Sequence, residues 1–198
     1  MIRPRPYLSW SQLTLFESSP ERYLDVYINK KRIFINRGMA LGKEIADALE
    51  NGEVTGDPIK DLVISQIPKF GVMEAELNGI LKLGKIEIPL YGKADTAKKN
   101  LTAFKEYKTG QTSWSQTSRQ PRTDHSLLHN NQSQDRQNTQ RHRIGYIPTK
   151  RLPDDKVELT GDIHRIKTSR TLVDVLKMEV RIKKAWEAIG KMCEEELL

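Results

Sequence analysis

The sequence predicts a mixed α/β (α+β) fold, a central mixed sheet flanked by helices, built as one domain over residues 1–198. Three observations carry this. The first third repeats its apolar residues at helical period, the middle switches to short extended runs separated by turn residues, and the end returns to one long amphipathic helix. A chain of 198 residues is long enough to close a single core and short for two.

Taken in order, Ser9 or Ser11 is placed to cap a first helix that buries Trp10, Leu13 and Phe16. Ser18-Ser19-Pro20 breaks it, and Pro20 suits the first turn of a second helix carrying Tyr23, Leu24 and Tyr27. Leu41, Ile45, Ala48 and Leu49 mark a third helix from about Gly38 to Glu50, which Asn51-Gly52 stops. Ile59 to Ile67 reads as a further short helix. Val72 to Leu77, Ile86 to Asp95 and Leu101 to Tyr107 read as successive strands, with turns at Asn78-Gly79 and Lys98-Lys99-Asn100. Lys156 to Ile163 adds a strand. The last helix, from about Thr171 to Glu196, would use Leu172, Val175, Leu176, Val180, Ile182, Trp186, Ile189 and Met192 as its apolar face.

Composition narrows the function classes. A formal charge of +7 favours a polyanionic partner. Cys193 is the only cysteine, which excludes disulfide frameworks, zinc knuckles and four-cysteine iron–sulfur clusters and leaves it the reading of a small core residue. No apolar run approaches a membrane span and the N-terminus lacks the apolar core of a signal peptide, so the expectation is a soluble cytoplasmic protein without a membrane partner. His125, His129, His142 and His164 show no metal-ligand spacing with cysteine.

One stretch does not fit. From Gln111 to Arg143 the chain is packed with Gln, Ser, Thr, Asn, His and Arg, contains no lysine, and has Trp114, Leu127 and Leu128 as its only large apolar residues. Read literally, it is a basic, polar, disordered insert, and so long a structureless loop inside a domain is anomalous. Back-translation offers another reading. One nucleotide further on from Ser115, with suitable third bases, the frame gives Val-Lys-Gln-Ala-Asp-Asn-His-Gly-Gln-Ile-Thr-Val-Tyr-Cys and continues into a turn and a strand start. That string has an amphipathic helix and the literal one has none. A pair of compensating frameshifts, opening near Trp114 and closing near Ile144, is therefore expected. Sequencing the locus decides it: a shifted frame that encodes no such string removes the idea.

The chemistry concentrates in Leu90-Tyr91-Gly92-Lys93-Ala94-Asp95 and Glu106-Tyr107-Lys108-Thr109-Gly110. If the two runs are neighbouring strands, Asp95, Glu106 and Lys108 converge at one sheet edge. Two carboxylates beside an ammonium suit a site that holds a divalent cation next to a phosphodiester. The plain alternative is that Asp95 ends a strand at a turn while Glu106 and Lys108 lie on a solvated face. Glu44, Asp47 and Glu50 on the third helix and Glu74 and Glu76 on the first strand are candidate additional acids, each equally readable as a surface charge. Pro153-Asp154-Asp155-Lys156 has turn composition and is followed by no acid-x-lysine triplet, so it reads as a hairpin turn. Candidate phosphate contacts are Lys150, Arg151, Lys167 and Arg170, with Arg119, Arg122, Lys183 and Lys184 as further cations.

Taken together, Leu8-Ser9-Trp10-Ser11-Gln12-Leu13 through Ser19-Pro20-Glu21-Arg22-Tyr23, Gly42-Lys43-Glu44-Ile45-Ala46-Asp47-Ala48-Leu49-Glu50, Gly92-Lys93-Ala94-Asp95 and Glu106-Tyr107-Lys108 resemble the PD-(D/E)XK nuclease superfamily, in its RecB-like exonuclease branch. The resemblance covers most of the chain outside Gln111 to Arg143. It implies a restriction-endonuclease-like core and a Mg²⁺- or Mn²⁺-dependent DNA nuclease, exonucleolytic, in DNA repair, recombination or mobile-element contexts. Asp95, Glu106 and the backbone carbonyl of Tyr107 would hold the metal, and Lys108 would orient water or stabilise charge on phosphorus. The chain departs from the branch in having Ala46 where many members carry histidine, and Ser19 where some carry a cluster cysteine, so no iron–sulfur cluster is implied. The branch's Gln-x-x-x-Tyr motif is absent literally, but the shifted frame supplies Gln-Ile-Thr-Val-Tyr over Thr123 to Leu127. The alternative function is a catalytically inactive DNA-binding or assembly module on the same fold.

Overall fold

The side chain of Ser9 accepts the backbone N–H of Gln12 and starts α1 (Trp10–Ser18), directly after the two-residue strand β1 (Leu8–Ser9). Ser19 closes α1 and caps α2 (Pro20–Tyr27), with Pro20 in the first turn where its missing N–H costs nothing. Asn36 caps α3 (Arg37–Asn51), and Gly52 ends it in the left-handed conformation at φ 72°. Asp57 caps α4 (Pro58–Gln66). This computed structural model describes residues 3–32, 34–67, 71–99, 104–111, 142–153, 156–168 and 171–196, with backbone alone at 104, 111, 142–144 and 166–168. Most of the anomalous polar segment, with Arg119, Arg122 and three of its histidines' side chains, lies outside the described residues, as do Asp154, Asp155 and Arg170.

The remaining elements are β2 (Val72–Leu83), β3 (Ile86–Ala97), β4 (Phe104–Gln111), β5 (His142–Arg151), β6 (Val157–Leu159), β7 (His164–Thr168) and α5 (Leu172–Glu195). Among the described residues, seven strands form one mixed sheet. β3 pairs antiparallel with β2 along one edge; along the other it pairs with β1 in parallel and, further on, with β4 antiparallel. β4 is parallel to β5, and β5 carries both β6 and β7 antiparallel on its far edge. The fold is therefore mixed α/β, with a mixed sheet flanked by helices. Among the described residues, no helix is long and apolar enough to cross a membrane.

Three local expectations change. Asn78-Gly79 is not a turn: Asn78 pairs with Tyr91 and Gly79 with Leu90, and the hairpin turns at Gly84-Lys85, with Gly84 at φ 64°. The inward alternation of Ala75, Leu77 and Leu81 carries the strand through a pair that would turn a shorter one. Lys156 to Ile163 contains only the short β6, and β7 begins beyond it after Gly161, whose φ of 88° breaks the run. On α5, Leu172, Leu176 and Val180 are exposed, and the buried face is Met178, Ile182, Ala185, Trp186, Ile189 and Cys193.

Two cores anchor the sheet. Leu8, Leu13, Tyr23, Ile88 and Leu90 pack with the buried face of α5. Leu41, Ile45 and Leu49 of α3 pack with Val63 and Ile67 against Ile147 and Leu159. Tyr23 is fully buried, and its hydroxyl donates to Gln12 Oε1 at 3.2 Å, satisfying two polar groups at once. Between the cores, β4 and β5 run in parallel.

Candidate active site

β3 and β4 are ladder partners only at Thr96–Lys105 and Ala97–Phe104. Continued by one step, this register sets Asp95 opposite Glu106, so both side chains leave the same face of the sheet, with Lys108 two residues further along. There the strands part, while β4 stays paired on its other edge with β5 from Lys105 to Gln111. Into this fork Asp95 inserts its carboxylate: Oδ2 accepts the backbone N–H of Tyr107 at 2.6 Å, replacing the lost ladder bond. Lys108 Nζ donates to Glu106 Oε1. Glu106 is only 8% exposed, and Asp95 lies within β3 rather than at its end. Asp95 therefore does not end its strand at a turn and Glu106 does not lie on a solvated face, while the Lys108 side chain is 37% exposed.

Packing behind the fork is tight. Tyr107 lies against Gly145 on β5, where an added Cβ would stand 2.6 Å from Tyr107 Cδ1 and 2.9 Å from Cε1. Gly145→Ala must push the ring, and with it the backbone that holds Asp95. The expected cost is about 1–3 kcal/mol of stability. A denaturant melt of the variant indistinguishable from wild type would contradict this packing.

The electrostatics follow from the crowding. Burial, followed by the neighbouring Glu106 carboxylate, pushes the Asp95 carboxyl up to about 6, against the opposing pull of Lys108 and the Tyr107 amide. Burial alone would depress the Lys108 ammonium, but Glu106 and Asp95 outweigh it and hold the group above its ordinary value. Burial and then Asp95 raise the Tyr107 phenol to about 12.

A cavity of about 230 Å³ opens beneath α3, with Asp95, Lys108, Glu50, Glu74 and Ala46 in its wall. Two carboxylates and the Tyr107 main-chain carbonyl form an all-oxygen donor set, and the repulsion from Glu106 that adds to burial in lifting Asp95 is what a cation between the acids relieves. Among the described residues, no three His, Cys, Asp or Glu side chains gather closely enough to hold an ion alone. Mg²⁺ and Mn²⁺ need no such cage, since Mg²⁺ uses one or two carboxylates and keeps several waters. The residues present fit that pair of ions.

The additional acids separate into two groups. Glu50 and Glu74 line the cavity with Asp95. Glu74 has a φ of 48° within β2 and accepts Lys93 Nζ at 3.1 Å. Glu44 and Asp47 line a different cavity on another face of α3, where they pair with Lys60 and Lys43 at 2.6 Å each. Glu76 accepts the Tyr91 hydroxyl at 3.0 Å, away from the cavity. Lys150 faces Glu158 at 3.5 Å across the β5–β6 pair, and Arg151 is exposed beside it. Lys183 sits 3.9 Å from Glu187, Lys184 is exposed, and Lys167 is described only by its backbone in β7. Lys150, Arg151, Lys183 and Lys184 are not in the cavity wall. Ala46, where the resembling branch often carries histidine, is in that wall. Two features escaped the sequence reading: Thr109 in the wall and the Tyr107 amide as the Asp95 donor. The second has no sequence signal, because every residue but proline offers the same N–H.

Comparison with known proteins adds little. No protein-family model matches the chain, and no curated protein matches it. Among solved structures, a chain described as "Crystal structure of SSO0001" is similar over 95% of this chain and 78% of its own length, at 12% identity and a TM-score of 0.45, a likeness too weak to carry an argument about fold or function.

Proposed function

We propose that this chain is a metal-dependent DNA nuclease that hydrolyses phosphodiester bonds in the cavity at the β3–β4 fork, and that the resemblance to the RecB-like branch makes it an exonuclease. The observation that supports this most is the convergence of Asp95, Glu106 and Lys108 at the β3–β4 fork, with a buried carboxylate and a raised carboxyl. Asp95, Glu106 and the Tyr107 carbonyl are the oxygens that would hold Mg²⁺ or Mn²⁺. A bound ion would supply polarisation of the scissile phosphate and acidification of a water.

The chain's own groups have separate tasks. The Tyr107 amide fixes the Asp95 carboxylate in one orientation, so no ordering is left for the moment of reaction. Glu106 holds the Lys108 ammonium by its Nζ, and the raised affinity of that group for its proton keeps it charged at neutral pH. Lys108 thus presents a fixed positive charge to the negative charge that develops on phosphorus. The cavity's apolar members, Ile45, Leu49 and Ile147, limit water around these charges and strengthen each interaction.

The test is an assay on labelled single- and double-stranded DNA with Mg²⁺ or Mn²⁺, using wild type and Asp95→Asn. Cleavage by wild type that the substitution removes supports the enzyme. Salt-sensitive binding without cleavage by wild type replaces it with the inactive DNA-binding or assembly module, and absence of both discards the nuclease-fold reading of function.

A further inference from the structure

A strained residue lies beside the acids of the fork. Glu74 has a φ of 48° within β2, and among the described residues the other non-glycine position with positive φ is Lys30, in the connection after α2. The β2–β3 ladder keeps one register from Val72–Ala97 to Leu83–Ile86 and skips a single level, Glu74 opposite Asp95. Holding a side chain in the left-handed region lowers the folding constant about tenfold. What Glu74 makes there is an ion pair, in which Lys93 Nζ donates to its Oε2 at 3.1 Å. Both partners are part exposed, Lys93 at 48% and Glu74 at 31%. An exposed pair raises the folding constant less than about fivefold. The pair therefore does not offset the backbone, and residual strain of this kind gathers at functional sites.

The strands fix where the pair lies. Lys93 and Asp95 are two residues apart on β3, so both leave the same face of the sheet, with Cα atoms about 7 Å apart. Glu74 is in the cavity wall with Asp95 and Lys108. The Lys93 ammonium, bonded to that wall and half exposed, is at the β2 side of the cavity and open to solvent. Asp95 thus has an acid-held ammonium on either side: Lys108 on Glu106 along β4, and Lys93 on Glu74 towards β2. An ammonium carries three donors and no acceptor. Glu74 takes one, and the exposed side of Lys93 offers the rest to an incoming oxyanion.

We propose that Lys93 binds a backbone phosphate next to the scissile one, and that Glu74 is the positioning residue that holds its ammonium at the cavity. This rests on the nuclease reading for the identity of the phosphodiester strand. The contact carries no base preference, because phosphate oxygens are alike beside every base. What it sets is register: with Lys108 at the reacting phosphate, Lys93 fixes how far the strand advances into the site.

The experiment is fluorescence anisotropy in EDTA, so that binding is read without cleavage. The probes are labelled oligothymidylates, unmodified or with one neutral methylphosphonate linkage at successive positions. Lys93→Ala is expected to weaken binding of the unmodified strand about tenfold and to lower the slope of log K against log salt by roughly 0.7. Lys93→Arg should keep both. At one linkage position, neutralisation should weaken wild type by the same factor and Lys93→Ala no further. In Glu74→Ala that loss should spread over adjacent linkages, because the ammonium is no longer held. Glu74→Gly should fold more favourably than Glu74→Ala by about fivefold, since both lack the carboxylate and glycine alone adopts this φ without strain.

Unchanged affinity and slope in Lys93→Ala overturn the proposal, as does a methylphosphonate profile that Lys93→Ala shares with wild type. A loss in Glu74→Ala still confined to one linkage, or a Glu74→Gly chain no more stable than Glu74→Ala, removes Glu74 from it. Because the ion pair is exposed, thermal melts of Lys93→Ala should stay close to wild type. Wild type that shows the linkage profile in EDTA yet never cleaves with Mg²⁺ would sink the nuclease reading alone.

Discussion

Asp95→Asn should remove DNA cleavage, by about two orders of magnitude or more in rate, and at the same time make the metal-free protein more stable at neutral pH. The two effects share one cause. In the fold the Asp95 carboxyl is lifted from 3.8 to about 6, by burial and by Glu106. The native chain then binds this proton more tightly than the unfolded chain does. The resulting stabilisation is complete below about pH 4 and is lost as pH rises through about 6. At pH 7.5 the folded protein carries a strained carboxylate that costs about 2 kcal/mol, at about 1.4 kcal/mol per unit with an allowance for solvent screening. Asparagine keeps an oxygen for the Tyr107 amide and removes the charge. Thermal melts in EDTA at pH 5 and pH 8 check this. Wild type should gain on the variant as the solution is acidified through that interval. A variant no more stable than wild type at pH 8 would show that the acids do not crowd one another.

Lys108→Ala is expected to act in the opposite sense on stability while also removing cleavage. It takes the ammonium from a carboxylate that is only 8% exposed and leaves the Asp95 and Glu106 charges less compensated. Breaking a well-buried pair by removing one partner costs about 3–5 kcal/mol, and the partial exposure of the lysine brings the expectation to about 2–3 kcal/mol. Glu106→Gln in the same chain should recover most of that loss without recovering activity, because it deletes the buried charge and not the missing cation. Urea titrations of the two single variants and the double variant measure the coupling. Additive losses in that cycle would mean the two side chains do not interact as the fork requires. A Lys108→Ala chain that still cleaves at the wild-type rate would remove lysine from the proposed chemistry.

Helix boundaries were legible residue by residue. Ser19-Pro20 and Asn51-Gly52 act within a few positions of themselves, so neighbours in the chain suffice to read them. Asn78-Gly79 misled for the complementary reason, since eleven ladder partners on β3 hold β2 straight through a sequence that favours turning. The face of α5 was only half legible. Leu172, Leu176 and Val180 fall on an apolar stripe, but only the later turns of the helix meet α1 and the sheet.

The sequence by itself determined which groups are available: an aspartate closing one extended run, a glutamate and a lysine two apart on the next, one cysteine, and a polar stretch that no fold explains. Their spacing is a local property, and a period-two strand already puts Glu106 and Lys108 on one side. Only the tertiary structure decided that β3 and β4 separate just where Asp95 lies, that Gly145 lets Tyr107 seat against β5, and that Glu50 and Glu74 face the cavity while Glu44, Asp47 and Glu76 do not. Those choices depend on strand register and on α3 lying across the fork. Both are set by contacts between residues far apart in the chain, whose energies no short window of sequence contains.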